Sequence, residues 1–149
     1  VQTCALPISG MKILQFAFDS REESDYLPHN YTHNCVVYTG THDNDTVMGW
    51  YDTLKGADKK LCDDYLRLKN ADGEPIPREQ LPWEFVRAAM SSVADLAIIP
   101  MQDYLGLGSE ARINIPSTLG INWKWRMGNG DFTKELAGRI RSMTKLYGR

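Results

Sequence analysis

Four consecutive residues able to exchange hydrogen bonds or protons, Thr41-His42-Asp43-Asn44, follow directly on a glycine, Gly40. An imidazole beside a carboxylate is suited to gripping a polar, hydroxyl-rich substrate. The elements around the pair place it well for that. Val36-Val37-Tyr38-Thr39 is β-branched and aromatic and predicts a buried strand. Beyond the pair, Val47, Trp50, Tyr51 and Leu54 recur at i, i+3, i+4 and i+7, which predicts a helix, with Asp45 where an N-cap is wanted. His42 and Asp43 therefore lie just past the carboxyl end of a strand, the edge where parallel α/β folds gather catalytic groups.

Three readings of His42-Asp43 stand side by side. The polar residues could simply cap the helix and satisfy the turn. They could bind a metal, with Asp45, His29 or His33 helping. They could face a polar substrate together. Spacing argues against metal. A calcium loop opening at Asp43 would need Gly at its sixth position and Glu at its twelfth, where Met48 and Leu54 stand. Neither HExxH nor CxxC occurs. No metal and no cofactor is expected.

The rest of the chain supplies supporting elements. Met11 to Phe18 is nearly continuous in apolar character and predicts a strand covered on both faces. Residues 19–34 read as a long polar loop. Leu61, Tyr65 and Leu68 extend the helical stripe that Asn70-Ala71-Asp72-Gly73 ends as a turn. Pro82 marks a helix start, with Val86, Ala89, Met90 and Val93 as its inner stripe. Leu96 to Pro100 reads as a short strand and Met101 to Asn122 as a loop. A last helix carries Leu136, Ile140, Met143 and Tyr147 on one face and stops at Gly148.

Composition sets milder bounds. The 149 residues suit one domain or part of one, and 42% hydrophobic content suits a packed core. A net charge of −2 offers no basic footprint, so no nucleic acid partner is expected. No apolar run is long enough to span a membrane, so none is expected there either. Three cysteines without paired spacing fit a reducing, cytoplasmic setting.

Longer motifs sharpen the reading. Tyr38-Thr39-Gly40-Thr41-His42-Asp43-Asn44-Asp45-Thr46 resembles the signature of the 4-α-glucanotransferases, also called amylomaltases or disproportionating enzymes. Gly10-Met11-Lys12-Ile13-Leu14-Gln15-Phe16-Ala17-Phe18-Asp19, with Tyr26-Leu27-Pro28-His29-Asn30-Tyr31, resembles the same family. So does Gly106-Leu107-Gly108-Ser109-Glu110-Ala111-Arg112-Ile113-Asn114, with Asn122-Trp123-Lys124-Trp125-Arg126 after it. The resemblance starts at Gly10. Val1 to Ile8 instead resembles a translated sequencing-library adapter, so residues 1–9 are read as non-native, which sets Cys4 aside.

The resemblance implies an α/β fold in which residues 10–149 form the C-terminal portion, about the last three β/α units, of a (β/α)8 barrel of the TIM type. A complete barrel needs about 250 residues, so its N-terminal part is the expected missing partner. The implied activity is transfer of α-1,4-glucan segments between maltooligosaccharides by a retaining double displacement. That chemistry uses a carboxylate nucleophile and a carboxylic acid/base about 5 Å apart. The resemblance puts both before Gly10, so this portion alone is expected to be inactive. It assigns Asp43 as transition-state stabiliser, and His42, Phe16, Asn114 and Pro116 as substrate-binding residues. From spacing alone Phe16 is equally a core residue. Arg112 is either part of the loop overhanging the cleft or an ion-pair partner of Glu110. Ile115 and Ile121 stand where Thr and Gly are common in the family, which bears on acceptor preference. Trp123 and Trp125 are candidates for stacking on sugars, whereas Trp50 fits a buried helix face. The alternatives are an α-amylase-like glucan hydrolase and a non-catalytic glucan-binding module.

Overall fold

The computed structural model describes residues 10–149. The proposed non-native stretch, residues 1–9, lies outside the described residues. Three strands, β1 (Gly10–Ile13), β2 (Cys35–Tyr38) and β3 (Leu96–Ile98), form one parallel sheet in that order. β2 is central and reads as an unbroken apolar run, with Cys35, Val36 and Val37 all buried, Val36 between Met11 and Leu96 of the two neighbouring strands.

β1 is shorter than its apolar run predicts. After Ile13 the chain tightens into a 3-10 turn over Leu14–Ala17. An extended strand would have sent Leu14 and Gln15 to opposite faces; the turn buries both, at 0% and 4% exposure. The Gln15 N–H still donates to the Thr39 carbonyl, so the turn rides over the end of β2. Phe16 is left half exposed at its outer corner.

Five helices complete the described chain: α1 (Val47–Thr53), α2 (Gly56–Leu66), α3 (Leu81–Met90), α4 (Met101–Leu105) and α5 (Lys134–Leu146). The N-cap of α1 is Thr46, not Asp45: the Thr46 hydroxyl accepts from the Gly49 N–H at 3.1 Å. The stripe from Val47 to Leu68 is broken, because Leu54 and Lys55 are extended and Gly56 opens α2 at φ 55°, a left-handed conformation that glycine adopts without strain. Asn70 makes the expected turn, its side chain accepting from the Asp72 and Glu74 N–H groups. Pro82 lies in the first turn of α3. Val93 falls beyond α3 and is exposed. The stretch from Met101 to Asn122 is not all loop, since it contains α4 and a 3-10 turn at Ser109–Ala111. No α-helix joins β1 to β2; that connection holds only 3-10 turns.

Register separates the two faces of the sheet. Gly10, Lys12, Cys35, Val37 and Ala97 share one face, against which Ala89 of α3 packs together with Tyr31 and Ala94. A larger core, including Leu14, Phe18, Val47, Leu66 and Phe85, fills the space among the helices and the 3-10 turn. Burying an aromatic the size of Phe85, which is fully enclosed, contributes on the order of 2–3 kcal/mol. Met11, Ile13, Val36, Tyr38, Leu96 and Ile98 share the opposite face. There Met11, Leu96 and Ile98 are exposed at 53%, 44% and 40%, and no element of the described chain covers them. The observed architecture is thus a partial α/β unit, with helices on one side of a parallel sheet.

Candidate active site

The turn after β2 is built from its own side chains. The Asn44 carboxamide oxygen accepts from both the N–H and the hydroxyl of Thr41, at 2.9 and 2.7 Å, which folds the turn back on itself. Gly40 is needed for close approach: a Cβ there would meet the Gln15 side chain at 2.5 Å. Gln15 in turn donates from its amide to the Asp45 carbonyl at 2.8 Å. The Asp45 carboxylate, released from capping, accepts from the Thr46 N–H and from the Ser109 hydroxyl at 2.7 Å.

His42 and Asp43 project from this turn with their side chains about half exposed. His42 Nε2 lies 3.3 Å from Asp43 Oδ1. The Asn114 amide donates to the same Oδ1 at 2.5 Å, although 71 residues separate the two in sequence. The loop carrying Asn114 is anchored to the turn through its backbone. The Asn114 N–H donates to the His42 carbonyl at 3.1 Å, and the Arg112 guanidinium donates to the Asp43 carbonyl at 2.6 Å and the Asn114 carbonyl at 2.9 Å. Arg112 therefore serves the loop rather than Glu110, whose carboxylate turns to the Gly108 N–H.

Helix capping does not account for Asp43, since Thr46 and the buried Asp103 serve the start of α1. His29 is hydrogen-bonded to Tyr65 at 3.0 Å and His33 lies 4.0 Å from Asp95. Neither joins His42 and Asp43. Among the described residues no group of three His, Cys, Asp or Glu side chains is disposed to hold a metal ion.

Four of the five residues named from sequence, Phe16, His42, Asp43 and Pro116, line one groove of about 750 Å³. Its floor is the uncovered sheet face, with Met11, Ile13, Tyr38 and Ile98. The fifth, Asn114, holds the Asp43 carboxylate. Phe16 packs edge-to-face on Tyr26, with ring centroids 5.8 Å apart, and so is a groove-lining side chain rather than a core one. Trp123 stands over His42, with ring centroids 5.1 Å apart and planes tilted by 37°. Its backbone is left-handed at φ 64°, rare for a bulky residue, and is held by its N–H donating to the Ile113 carbonyl at 2.7 Å. Trp125 makes no comparable contact with the pair. Asn122 braces the same loop, accepting from the Ile115 N–H and donating to the Thr118 carbonyl.

Two buried polar residues of α4, Gln102 and Asp103, escaped the sequence reading. The Gln102 amide donates to the Ala111 carbonyl at 3.2 Å. Asp103 is only 1% exposed and accepts from the Thr39 hydroxyl at 2.5 Å and the Val47 N–H at 2.8 Å. Burial pushes its carboxyl up to about 6, against the pull of those two hydrogen bonds. The only sequence signal was a Gln-Asp pair inside a stretch read as loop.

A sequence profile described as 4-alpha-glucanotransferase matches residues 3–131, beginning inside the octet read as adapter-like. The 4-alpha-glucanotransferase of Clostridium butyricum is 50% identical over 141 residues, covering 94% of this chain and 28% of the relative. That of Thermus thermophilus is 46% identical over 142 residues, covering 93% of this chain and 28% of the relative. The solved structure of an amylomaltase from Streptococcus agalactiae in complex with acarbose superposes with a TM-score of 0.81 at 37% identity, over 94% of this chain and 27% of that one. The chain thus spans a little over a quarter of the length of these relatives. Three separated motifs, a match over most of the chain and a superposable parallel sheet agree: the chain belongs to the 4-alpha-glucanotransferase family.

Proposed function

We propose that this chain is the C-terminal part of the catalytic domain of a 4-α-glucanotransferase, which transfers α-1,4-glucan segments between maltooligosaccharides with retention of configuration. Its three strands are the closing strands of a (β/α)8 barrel, and the open sheet face is the side that the remaining strands complete. The observation that carries this reading is the Asp43 carboxylate, held by Asn114 at 2.5 Å beside His42 at 3.3 Å, on the rim of an apolar groove past the carboxyl end of a parallel sheet.

That geometry suits a retaining transfer. The nucleophile and acid/base come from the part of the enzyme outside this chain, which alone is inactive. Asp43 accepts hydrogen bonds from hydroxyls of the ring at the cleavage point. As positive charge develops on that ring, a fixed carboxylate stabilises it, and the apolar groove limits screening by water. Asn114 and His42 hold the carboxylate so that it need not reorganise during the reaction. His42 also reaches ring hydroxyls, while Phe16 and Pro116 line the acceptor side. Ile115 and Ile121 tune which acceptors fit. The free, buried Cys35 and Cys62, whose thiols burial pushes upward, suit a cytoplasmic enzyme. Among the described residues no helix is long and apolar enough to cross a membrane.

The test is to express the full-length enzyme that contains this segment and supply maltotriose. Longer glucans and free glucose should appear without a net rise in reducing ends. A rise in reducing ends that matches glucose release would identify a hydrolase. Glucan binding without turnover would identify a binding module.

A further inference from the structure

We infer that Asp103 is a positioning residue that clasps both ends of the turn carrying His42 and Asp43. This rests on the reading of Asp43 given under Proposed function. The turn leaves β2 at Thr39 and enters α1 at Val47. One carboxylate takes a hydrogen bond from each of these points, Oδ2 from the Thr39 hydroxyl at 2.5 Å and Oδ1 from the Val47 N–H at 2.8 Å. It therefore fixes the span across which the seven residues between must fold. Both side chains of the clasp are sealed from water, Thr39 at 0% and Asp103 at 1% exposure.

The adjoining residue makes the arrangement two-sided. Gln102, also buried, holds the Ala111 carbonyl, and the next residue, Arg112, binds the carbonyls of Asp43 and Asn114. Successive residues of α4 thus set the turn that bears Asp43 and the loop that bears its hydrogen-bond donor. A helix cap alone would not call for this chemistry. Ser, Thr or Asn caps a helix without placing a carboxylate in a dry interior, where burying charge is costly. A carboxylate is the group that accepts firmly from two donors at once. Fixing both ends of the turn matters because small displacements of a reacting group reduce rate far more than they reduce binding.

The test uses the full-length enzyme with three variants: Thr39→Val, Thr39→Ser and Asp103→Asn. Thr39→Val keeps the shape but deletes the donor, while Thr39→Ser restores it. For Thr39→Val, kcat on maltotriose should fall by about tenfold or more with KM nearly unchanged. Backbone hydrogen exchange of the 40–47 segment in substrate-free enzyme should quicken, with α3 unaffected. Thr39→Ser should recover most of both losses, and Asp103→Asn, which accepts from Val47 but can only donate to the Thr39 hydroxyl, should shift kcat and exchange in the same direction by less than Thr39→Val. The inference is overturned if Thr39→Val matches the parent in kcat and in exchange. It is equally overturned if Ser fails to rescue, or if exchange rises evenly through α3, since the residue is then merely structural. Should Asp103→Asn fail to fold, the Thr39 pair decides. A parent without transfer activity would count against the functional reading, while the exchange comparison would still test the clasp.

Discussion

The two faces of the β-sheet differ in kind. On one, Cys35 and Val37 are closed over by Ala89 and Tyr31, and beyond them, among the helices, Phe85 anchors an aromatic cluster with Phe18, Trp50 and Tyr51. On the other, Met11, Leu96 and Ile98 lie open, and Met11 and Ile98 help floor the groove below Asp43. The covered face is a finished core that orients the strands. The open face has the His42-Asp43 pair at its carboxyl-end rim and apolar side chains that nothing among the described residues buries. A contiguous exposed apolar surface of this sort marks an interaction surface. Under the proposed function its partner is the rest of the barrel.

The contrast can be broken by substitution on either side, measured in the full-length enzyme by chemical denaturation. Phe85→Ala in the covered core should cost about 3–5 kcal/mol. Met11→Ala should cost about 2–5 kcal/mol if the other strands bury the open face. A loss below about 1 kcal/mol at Met11 would mean that this face stays open and would remove the distinction between core and docking surface.

A smaller effect separates the rim from both faces. The Asp103 carboxyl is pushed from 3.8 up to about 6 by burial, to which the nearby Asp45 carboxylate adds. Between those values the folded protein holds more protons than the unfolded chain, so this group adds stability as pH falls from about 7 to about 4. The gain should approach about 3 kcal/mol, and Asp103→Asn should remove it. Denaturation midpoints of parent and variant across that range check the sign; a constant difference between them would contradict it. The smallest expected change is at Thr46, where loss of the capping hydroxyl in Thr46→Ala should cost about 1 kcal/mol by the same measurement. Asp45→Ala should leave the cap intact, because its carboxylate serves Ser109 and its own turn.

Much of the covered side was legible in the sequence because periodicity records which face is buried. The apolar run through Val37, and the stripe Val86, Ala89 and Met90, state their burial directly. The early end of β1 was not legible. Leu14 and Gln15 look like strand residues, and only the Thr39 carbonyl and the Asp45 carbonyl, distant in sequence, make the turn favourable. Asp45 and Thr46 are both good caps, and local preference does not choose between them; Ser109 does, by drawing the Asp45 carboxylate away. Within the site, Asp43, His42, Phe16, Asn114 and Pro116 came from motif resemblance, and the structure brings them together. Asp103 and Gln102 stayed hidden because their partners lie far along the chain and α4 is too short to show a period.

Asp43 is the central residue of the proposed site, and Asp43→Asn in the full-length enzyme tests its role most directly. The substitution keeps the shape and the Asn114 contact available while removing the negative charge. A preorganised contact of this type is worth about 10²–10³ in rate, or roughly 3–4 kcal/mol. Steady-state kinetics on maltotriose should therefore show kcat falling by about that factor with little rise in KM, and a nearly unchanged denaturation midpoint. A kcat within a few-fold of the parent would contradict the assignment and return this turn to a structural role.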